Sequence, residues 1–162
     1  MHTIRPTSPG DFEAIANLTN HYIRHTAVHF GYQDVTAQDF EQAWRETHNT
    51  YPWLTAELDG RFAGYAKAGV WRERAAYKFS AETAIYIEDF AYRTGIARAL
   101  YQTLLDELKA RGFHTAVAGA TLPNDVSVRF HEAMGFKTIG TFREVGRKFD
   151  QWHDVIFWQK ML

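Results

Sequence analysis

The chain has no cysteine among its 162 residues, which excludes a disulfide framework, a thiolate nucleophile and a zinc–thiolate centre together. It has no excess of charge of either sign. Eighteen Lys and Arg stand against 19 Asp and Glu, interspersed, for a formal net charge of −1, so a basic nucleic-acid-binding stripe is not expected. No apolar run approaches the length of a membrane span, and Met1-His2-Thr3-Ile4-Arg5-Pro6 lacks the build of a secretory signal. These absences lead to the expectation of a cytoplasmic protein. No repeat, low-complexity tract or linker interrupts the sequence, so residues 1–162 read as a single domain. What the chain does have is apolar matter: it is 46% hydrophobic and 15% aromatic, enough for a proper core. The aromatics, dense between Trp152 and Trp158, suit core, an interface or the walls of a small-substrate pocket.

Patterning predicts the elements in order. Thr3-Ile4-Arg5 reads as an edge strand. Ser8-Pro9-Gly10-Asp11 opens a helix with Phe12, Ile15, Leu18, Tyr22 and Ile23 on its apolar side. Thr36 and Asp39 cap a second helix through Phe40, Ala43 and Trp44. Trp53 to Leu58, a turn at Asp59-Gly60, and Arg61 to Trp71 read as a β-hairpin. Ala81 to Ile87 is a further strand. Ile96, Leu100, Leu104 and Leu108 then recur every four residues on a helix that Gly112 ends. His114 to Gly119 reads as a short buried strand, Asn124 caps a helix ending before Gly135, and Phe136 to Thr141 and Val155 to Lys160 close the chain as strands. The order β-α-α-β-β-β-α-β-α-β-β predicts an α/β sandwich around a mixed sheet.

Between the strand at Ala84-Ile85-Tyr86-Ile87 and the following helix lies Tyr92-Arg93-Thr94-Gly95-Ile96-Ala97-Arg98. A short loop turning straight into a helix leaves first-turn amides without intrahelical partners, and the helix dipole adds positive potential there. Such a turn binds phosphate or pyrophosphate through backbone. Gly95 permits close approach, Ala97 is nearly as small, and Arg93 and Arg98 add charge. The loop lacks the Gly-Lys-Ser/Thr ending of a nucleoside triphosphate loop and the three-glycine dinucleotide fingerprint. Alone, it reads first as a plain strand–helix turn.

The loop resembles the Q/R-x-x-G-x-G/A coenzyme A loop of the GNAT acetyltransferase superfamily, with Tyr92 standing where Gln or Arg is usual and Ala97 in place of the commoner second glycine. The whole chain resembles the phosphinothricin (methionine sulfoximine) N-acetyltransferase family. The matching pieces are Asn20-His21-Tyr22-Ile23, Thr26 and Phe30, then Trp71-Arg72-Glu73-Arg74-Ala75-Ala76-Tyr77 and Glu82-Thr83-Ala84-Ile85-Tyr86-Ile87. They continue with Leu122-Pro123-Asn124, Ser127, His131-Glu132-Ala133-Met134-Gly135-Phe136, Arg143-Glu144-Val145-Gly146-Arg147-Lys148-Phe149 and Trp152-His153-Asp154-Val155. The resemblance implies a GNAT-like sandwich that transfers an acetyl group from acetyl-CoA to the α-amino group of a small amino acid analogue such as phosphinothricin, methionine sulfoximine or methionine sulfone. It also implies a homodimer, and a coenzyme site on Ile85, Tyr86, Ile87, residues 93 to 98 (Arg93, Thr94, Gly95, Ile96, Ala97, Arg98), Asn124 and Ser127.

Acetyl transfer from a thioester to an amine needs a base near the amine and an acid near the sulfur. Glu82 sits inside an otherwise apolar strand, where a carboxylate calls for an explanation. Alternation puts it on the face of Ala84 and Tyr86. It is either an ion-paired edge glutamate or the base, and the family's proposed base falls on this position. His131, seven residues after Asn124 and two turns along one helix face, is either a hydrogen-bonded surface histidine or the acid. The resemblance places the acid here, and an imidazole suits proton exchange at neutral pH. Arg72, Arg74 and Lys78 are either a solvated run or the grip on an α-carboxylate, with Phe30 and Tyr77 as walls. His21, His25 and His29 fall at i, i+4 and i+8, yet no carboxylate joins them at ligand spacing, so a polar helix face is expected rather than a metal. Two other readings stay open: a GNAT enzyme acting on another amine (an antibiotic, a polyamine or a protein N-terminus), and a non-catalytic acyl-CoA-binding module. A polyamine pocket would be lined with acids, which the three cations oppose.

Overall fold

The computed structural model describes all 162 residues. The strands and helices run β1 (His2–Pro6), α1 (Phe12–His25), α2 (Ala37–Thr47), β2 (Trp53–Leu58), β3 (Arg61–Val70), β4 (Ser80–Ile87), α3 (Ile96–Ala110), β5 (Thr115–Thr121), α4 (Asp125–Ala133), β6 (Lys137–Lys148) and β7 (Gln151–Met161). This is the predicted order. The strands form one seven-stranded sheet in the order β1-β2-β3-β4-β5-β7-β6. Every neighbouring pair is antiparallel except β4 and β5, which are parallel.

The two-residue alternation of strands sends side chains to opposite faces, and each face finds its own helices. On one side Ile96, Leu100, Tyr101 and Leu104 of α3 pack with Ile87, Phe136 and Trp158. On the other, Phe12, Ile15 and Leu18 of α1 and Phe40 of α2 pack with Trp53 and Tyr65. The cap expected at α2 is present, with Thr36 Oγ1 accepting from the Asp39 amide at 3.1 Å and the Asp39 carboxylate accepting from the Thr36 amide at 2.8 Å. At α1, Asp11 accepts from the Ser8 amide at 2.8 Å and takes Arg5 in a two-pronged ion pair with both distances 2.7 Å. Pro9–Asp11 is a 3-10 turn, so the α-helix itself begins at Phe12.

The parallel pairing of β4 and β5 spans only Ser80↔Thr115, Ala81↔Ala116 and Glu82↔Val117. Beyond Glu82 the two strands part, and the sheet opens into a fork. The last two strands are longer than expected: β6 and β7 run past Thr141 and back before Val155, with register irregularities near Thr138/Gly140 and Phe142/Gly146. β6 is an edge strand exposed along nearly its whole length. Its sequence therefore carries no alternation to mark it as a strand.

Candidate active site

The fork holds a cavity of about 420 Å³. Glu82, Thr83, Ala84, Ile85 and Tyr86 form its β4 wall, and Gly119 and Ala120 its β5 wall. Asn124, Ser127 and His131 close it from α4. Lys67 and Gly69 on β3, with Val28 from the loop after α1, complete the other side. Glu82 lies opposite Gly69 in the β3–β4 register, and a Cβ at Gly69 would meet nothing within 4 Å. The space over the carboxylate is therefore open.

Burial pushes the Glu82 carboxyl above its ordinary value, while Lys67 and then Arg72 draw it back. The result is a carboxylate more basic than usual, placed in a cavity. His131 is only 5% exposed and stacks on Trp158, ring centroids 4.4 Å apart. Its Nδ1 lies 2.9 Å from the Ser127 carbonyl oxygen. That oxygen only accepts, so Nδ1 carries the proton and donates. Nε2 is left facing the Tyr101 hydroxyl at 3.3 Å. Tyr101 in turn is 2.6 Å from the Thr83 hydroxyl, which donates to the Val117 carbonyl at 3.2 Å. Burial holds the imidazole below its ordinary pKa, against the raising effect of the Ser127 carbonyl, so His131 rests neutral at pH 7 with Nε2 as the nitrogen that can gain a proton.

Next to the fork, α3 starts at Ile96, with Gly95 as its N-cap in the left-handed region at φ 86°. Arg93 is also left-handed at φ 63°. The amides of Arg93, Thr94, Gly95, Ala97 and Arg98 donate to no group of the chain; in this stretch only the Ile96 amide finds a partner, a long 3.4 Å contact to Thr94 Oγ1. Five free amides at the positive end of a helix are an anion cradle. Arg98 is not wholly free charge, because its guanidinium donates to the Ala133 carbonyl at 3.0 Å and ties α3 to the end of α4. Tyr92 turns away from the cradle, its hydroxyl 2.7 Å from that of Tyr22.

The structure thus gathers Glu82, Ile85, Tyr86, Asn124, Ser127 and His131 in one cavity, with the loop of residues 93 to 98 at the N-terminus of α3. It does not bring Phe30, Arg72, Arg74, Tyr77 and Lys78 into the cavity wall. The last four lie in the exposed connection between β3 and β4, where no strand fixes them. Phe30 instead packs on Gly146 and, with ring centroids 6.2 Å apart, on His153. Ile87 is buried in the core on the α3 side. Of the histidine series, His21 and His25 pack at a tilt with centroids 5.1 Å apart, and no group of three metal-binding side chains forms anywhere in the chain. Sequence reasoning missed Lys67, Val28 and Tyr101. Lys67 carried a signal, being a lone charge inside the apolar run Phe62 to Val70, the same anomaly that singles out Glu82.

The chain as a whole has known relatives. The acetyltransferase (GNAT) domain model matches residues 4–157. The chain belongs to the GNAT acetyltransferase family and is an N-acetyltransferase by that membership. More particularly, it is 41% identical to the phosphinothricin N-acetyltransferase of Streptomyces viridochromogenes, over 97% of this chain and 86% of that one. It is 34% identical to the L-methionine sulfoximine/L-methionine sulfone acetyltransferase of Salmonella typhimurium, over 99% and 94% of the two chains. Among solved structures it superposes on a GNAT superfamily phosphinothricin acetyltransferase from Sinorhizobium meliloti in complex with acetyl-CoA with a TM-score of 0.93, at 28% identity, covering 99% of this chain and 88% of that one.

Proposed function

We propose that this enzyme, a single domain over residues 1–162, acetylates the α-amino group of a small amino acid analogue of the phosphinothricin, methionine sulfoximine or methionine sulfone class. Acetyl-CoA is the acyl donor. The observation that carries this reading is the convergence of Glu82 and His131, from a strand and a helix, in one cavity at the open fork beside the amide cradle.

The residues present fit the donor. The free amides of residues 93 to 98 take the pyrophosphate. The β5-facing edge of Ile85, Tyr86 and Ile87, released where the strands part, offers backbone groups to an extended pantetheine arm. Asn124 spends its side-chain oxygen on the Ser127 amide at 3.1 Å as the cap of α4. Its side-chain NH₂ stays available for the ligand, beside Ser127.

Glu82 accepts a proton from the substrate ammonium, directly or through a water, and its raised pKa suits that task. The freed nitrogen lone pair attacks the thioester carbonyl carbon, and the carbon–sulfur bond breaks. His131 serves the sulfur side. Because it rests neutral, it first gains a proton on Nε2, from the attacking nitrogen or from solvent, and then gives it to the departing thiolate. Arg72, near enough to Glu82 to lower its pKa, holds the α-carboxylate. Arg74, Tyr77 and Lys78 lie further along the same exposed connection, and we assign them, with Phe30, to outer contacts of the substrate. We place the enzyme in the cytoplasm as a homodimer; the exposed apolar side chains Ile139, Phe142, Val145 and Trp152 on β6 and β7 support the pairing, and light scattering at micromolar concentration reads that state. The test of function is thiol release from acetyl-CoA across a panel of amino acids and analogues. Turnover concentrated on the methionine-derivative and phosphinothricin class supports the reading, and turnover only with polyamines or peptide N-termini overturns it.

A further inference from the structure

Lys67 faces the cavity from β3 with no hydrogen-bonding partner. It forms no hydrogen bond and no ion pair with any group of the chain; its contacts are the faces of Trp53 and Phe40, whose ring centroids lie 4.6 and 5.9 Å from Nζ. Ring faces stabilise an ammonium but give its N–H groups no directional acceptor. The contrast within the molecule is sharp. Lys148, which is buried, spends its three N–H groups on the carbonyls of Ile23, Thr26 and His29, and Lys160 donates to the Met134 carbonyl. A half-buried ammonium left without an oxygen partner is costly unless something arrives to satisfy it.

Its place along β3 says what that something is. In the β3–β4 register Lys67 lies opposite Ala84, and Gly69 lies opposite Glu82. Arg72 follows just past the end of β3. The order along this edge is cation, carboxylate, cation, with Glu82 in the middle. Lys67 is the one lysine or arginine in the cavity lining. An amino acid whose side chain also ends in an anion is the mirror image: carboxylate, ammonium, anion. Resting on the acetyltransferase reading above, we infer that Lys67 is a specificity residue that pairs with an anionic side-chain terminus of the substrate, so that this chain prefers amino acids ending in phosphinate or a like anion over those ending in a neutral sulfone.

The test compares kcat/KM for phosphinothricin and methionine sulfone in the wild-type enzyme and in Lys67→Met, which keeps the length of the stem and removes the charge. Lys67 also lowers the Glu82 pKa, so its loss alters the base for both substrates; the ratio of the two kcat/KM values cancels that common effect. Wild type is expected to favour phosphinothricin. Lys67→Met is expected to lower the phosphinothricin to sulfone ratio by about 10- to 100-fold, the span of a lost charge-assisted contact. Lys67→Arg should retain part of the preference, which separates lost charge from a disturbed fold. Equal losses on both substrates, or no wild-type preference, overturn the role of Lys67 while leaving the acetyltransferase reading in place. Turnover of neither amino acid by wild type overturns both.

Discussion

Replacing Lys148 by Met should separate the placement of the loop after α1 from the chemistry. The Lys148 ammonium draws three carbonyls of one short stretch together. Ile23 belongs to the last turn of α1, where carbonyls have no helical partner, and Thr26 and His29 follow in the loop. The three distances are 2.6, 2.9 and 2.6 Å. The same loop is pinned by the Tyr32 hydroxyl donating to the Arg147 carbonyl and by Phe30 lying flush on Gly146, where a Cβ would come within 2.2 Å of the ring. A hydrogen bond to a charged group is worth about 1.5–3 kcal/mol net, but Met also removes the cost of burying the charge, so the balance is a loss of about 2–4 kcal/mol. For a chain of this size that lowers Tm by roughly 5–15 °C. Because the loop presents Val28 to the cavity, KM for the amine substrate should rise about tenfold for a loss near 1.4 kcal/mol in substrate placement. KM for acetyl-CoA should stay put, since the amide cradle is built on another loop. Thermal melts and steady-state kinetics with each substrate varied in turn read both effects. An unchanged Tm with an unchanged amine KM would refute the idea that Lys148 holds the loop.

Two further changes probe the frame of the site. Gly95→Val places a branched side chain at φ 86° in the middle of the free amides, a strain of about 1–3 kcal/mol. Acetyl-CoA affinity by calorimetry should fall while the fold survives, and unchanged affinity would remove the cradle from the account. Asp11→Asn breaks the paired contacts with Arg5, and a loss of about 2–3 kcal/mol at neutral pH is expected, below the full value for a buried pair because Arg5 is partly exposed. Burial raises the Asp11 carboxyl, but the Arg5 and Ser8 hydrogen bonds outweigh it and hold the pKa below its ordinary value. The stability it adds is therefore present above the unfolded-state pKa and lost as pH falls through the lower folded one. The gap between the melts of wild type and variant should begin to narrow as pH falls below about 4 and close only below the lower folded-state value, and a gap that does not narrow with acidification would contradict the assignment.

Much of the fold was legible because its signals are local. The caps at Ser8 and Thr36, the four-residue spacing from Ile96 to Leu108 and the turn at Asp59-Gly60 each follow from short-range chemistry. β6 was only half legible, since an exposed edge strand has no buried face to impose alternation. At the site, Glu82 stood out as a charge in an apolar strand, and Gly95 as the glycine that starts a helix. Lys67 gave the same kind of signal as Glu82, but its meaning depends on β3 lying beside β4, which the sequence does not display. The Tyr101–Thr83–Val117 chain behind His131 was hidden for a similar reason. Tyr101 sits within the apolar stripe of α3 and reads as core, and its hydroxyl gains significance only when α3 packs under the fork. The cations Arg72, Arg74 and Lys78 were conspicuous in sequence, yet they lie on an exposed connection outside the cavity wall.

The account turns on Glu82 acting on the substrate amine, and Glu82→Gln with saturating acetyl-CoA tests it most directly. The amide keeps the shape of the side chain and removes its basicity. Turnover is expected to drop by about 10²–10⁴-fold at neutral pH, the span of general-base catalysis, while acetyl-CoA affinity holds, because the free amides of residues 93 to 98 remain intact. The deficit should shrink as pH rises and more amine arrives deprotonated, whereas the wild-type rate should fall in acid as the Glu82 carboxyl, raised by burial, takes up its proton. Wild-type turnover by Glu82→Gln at neutral pH would contradict the account and leave Glu82 a structural carboxylate beside an amine that reacts unaided.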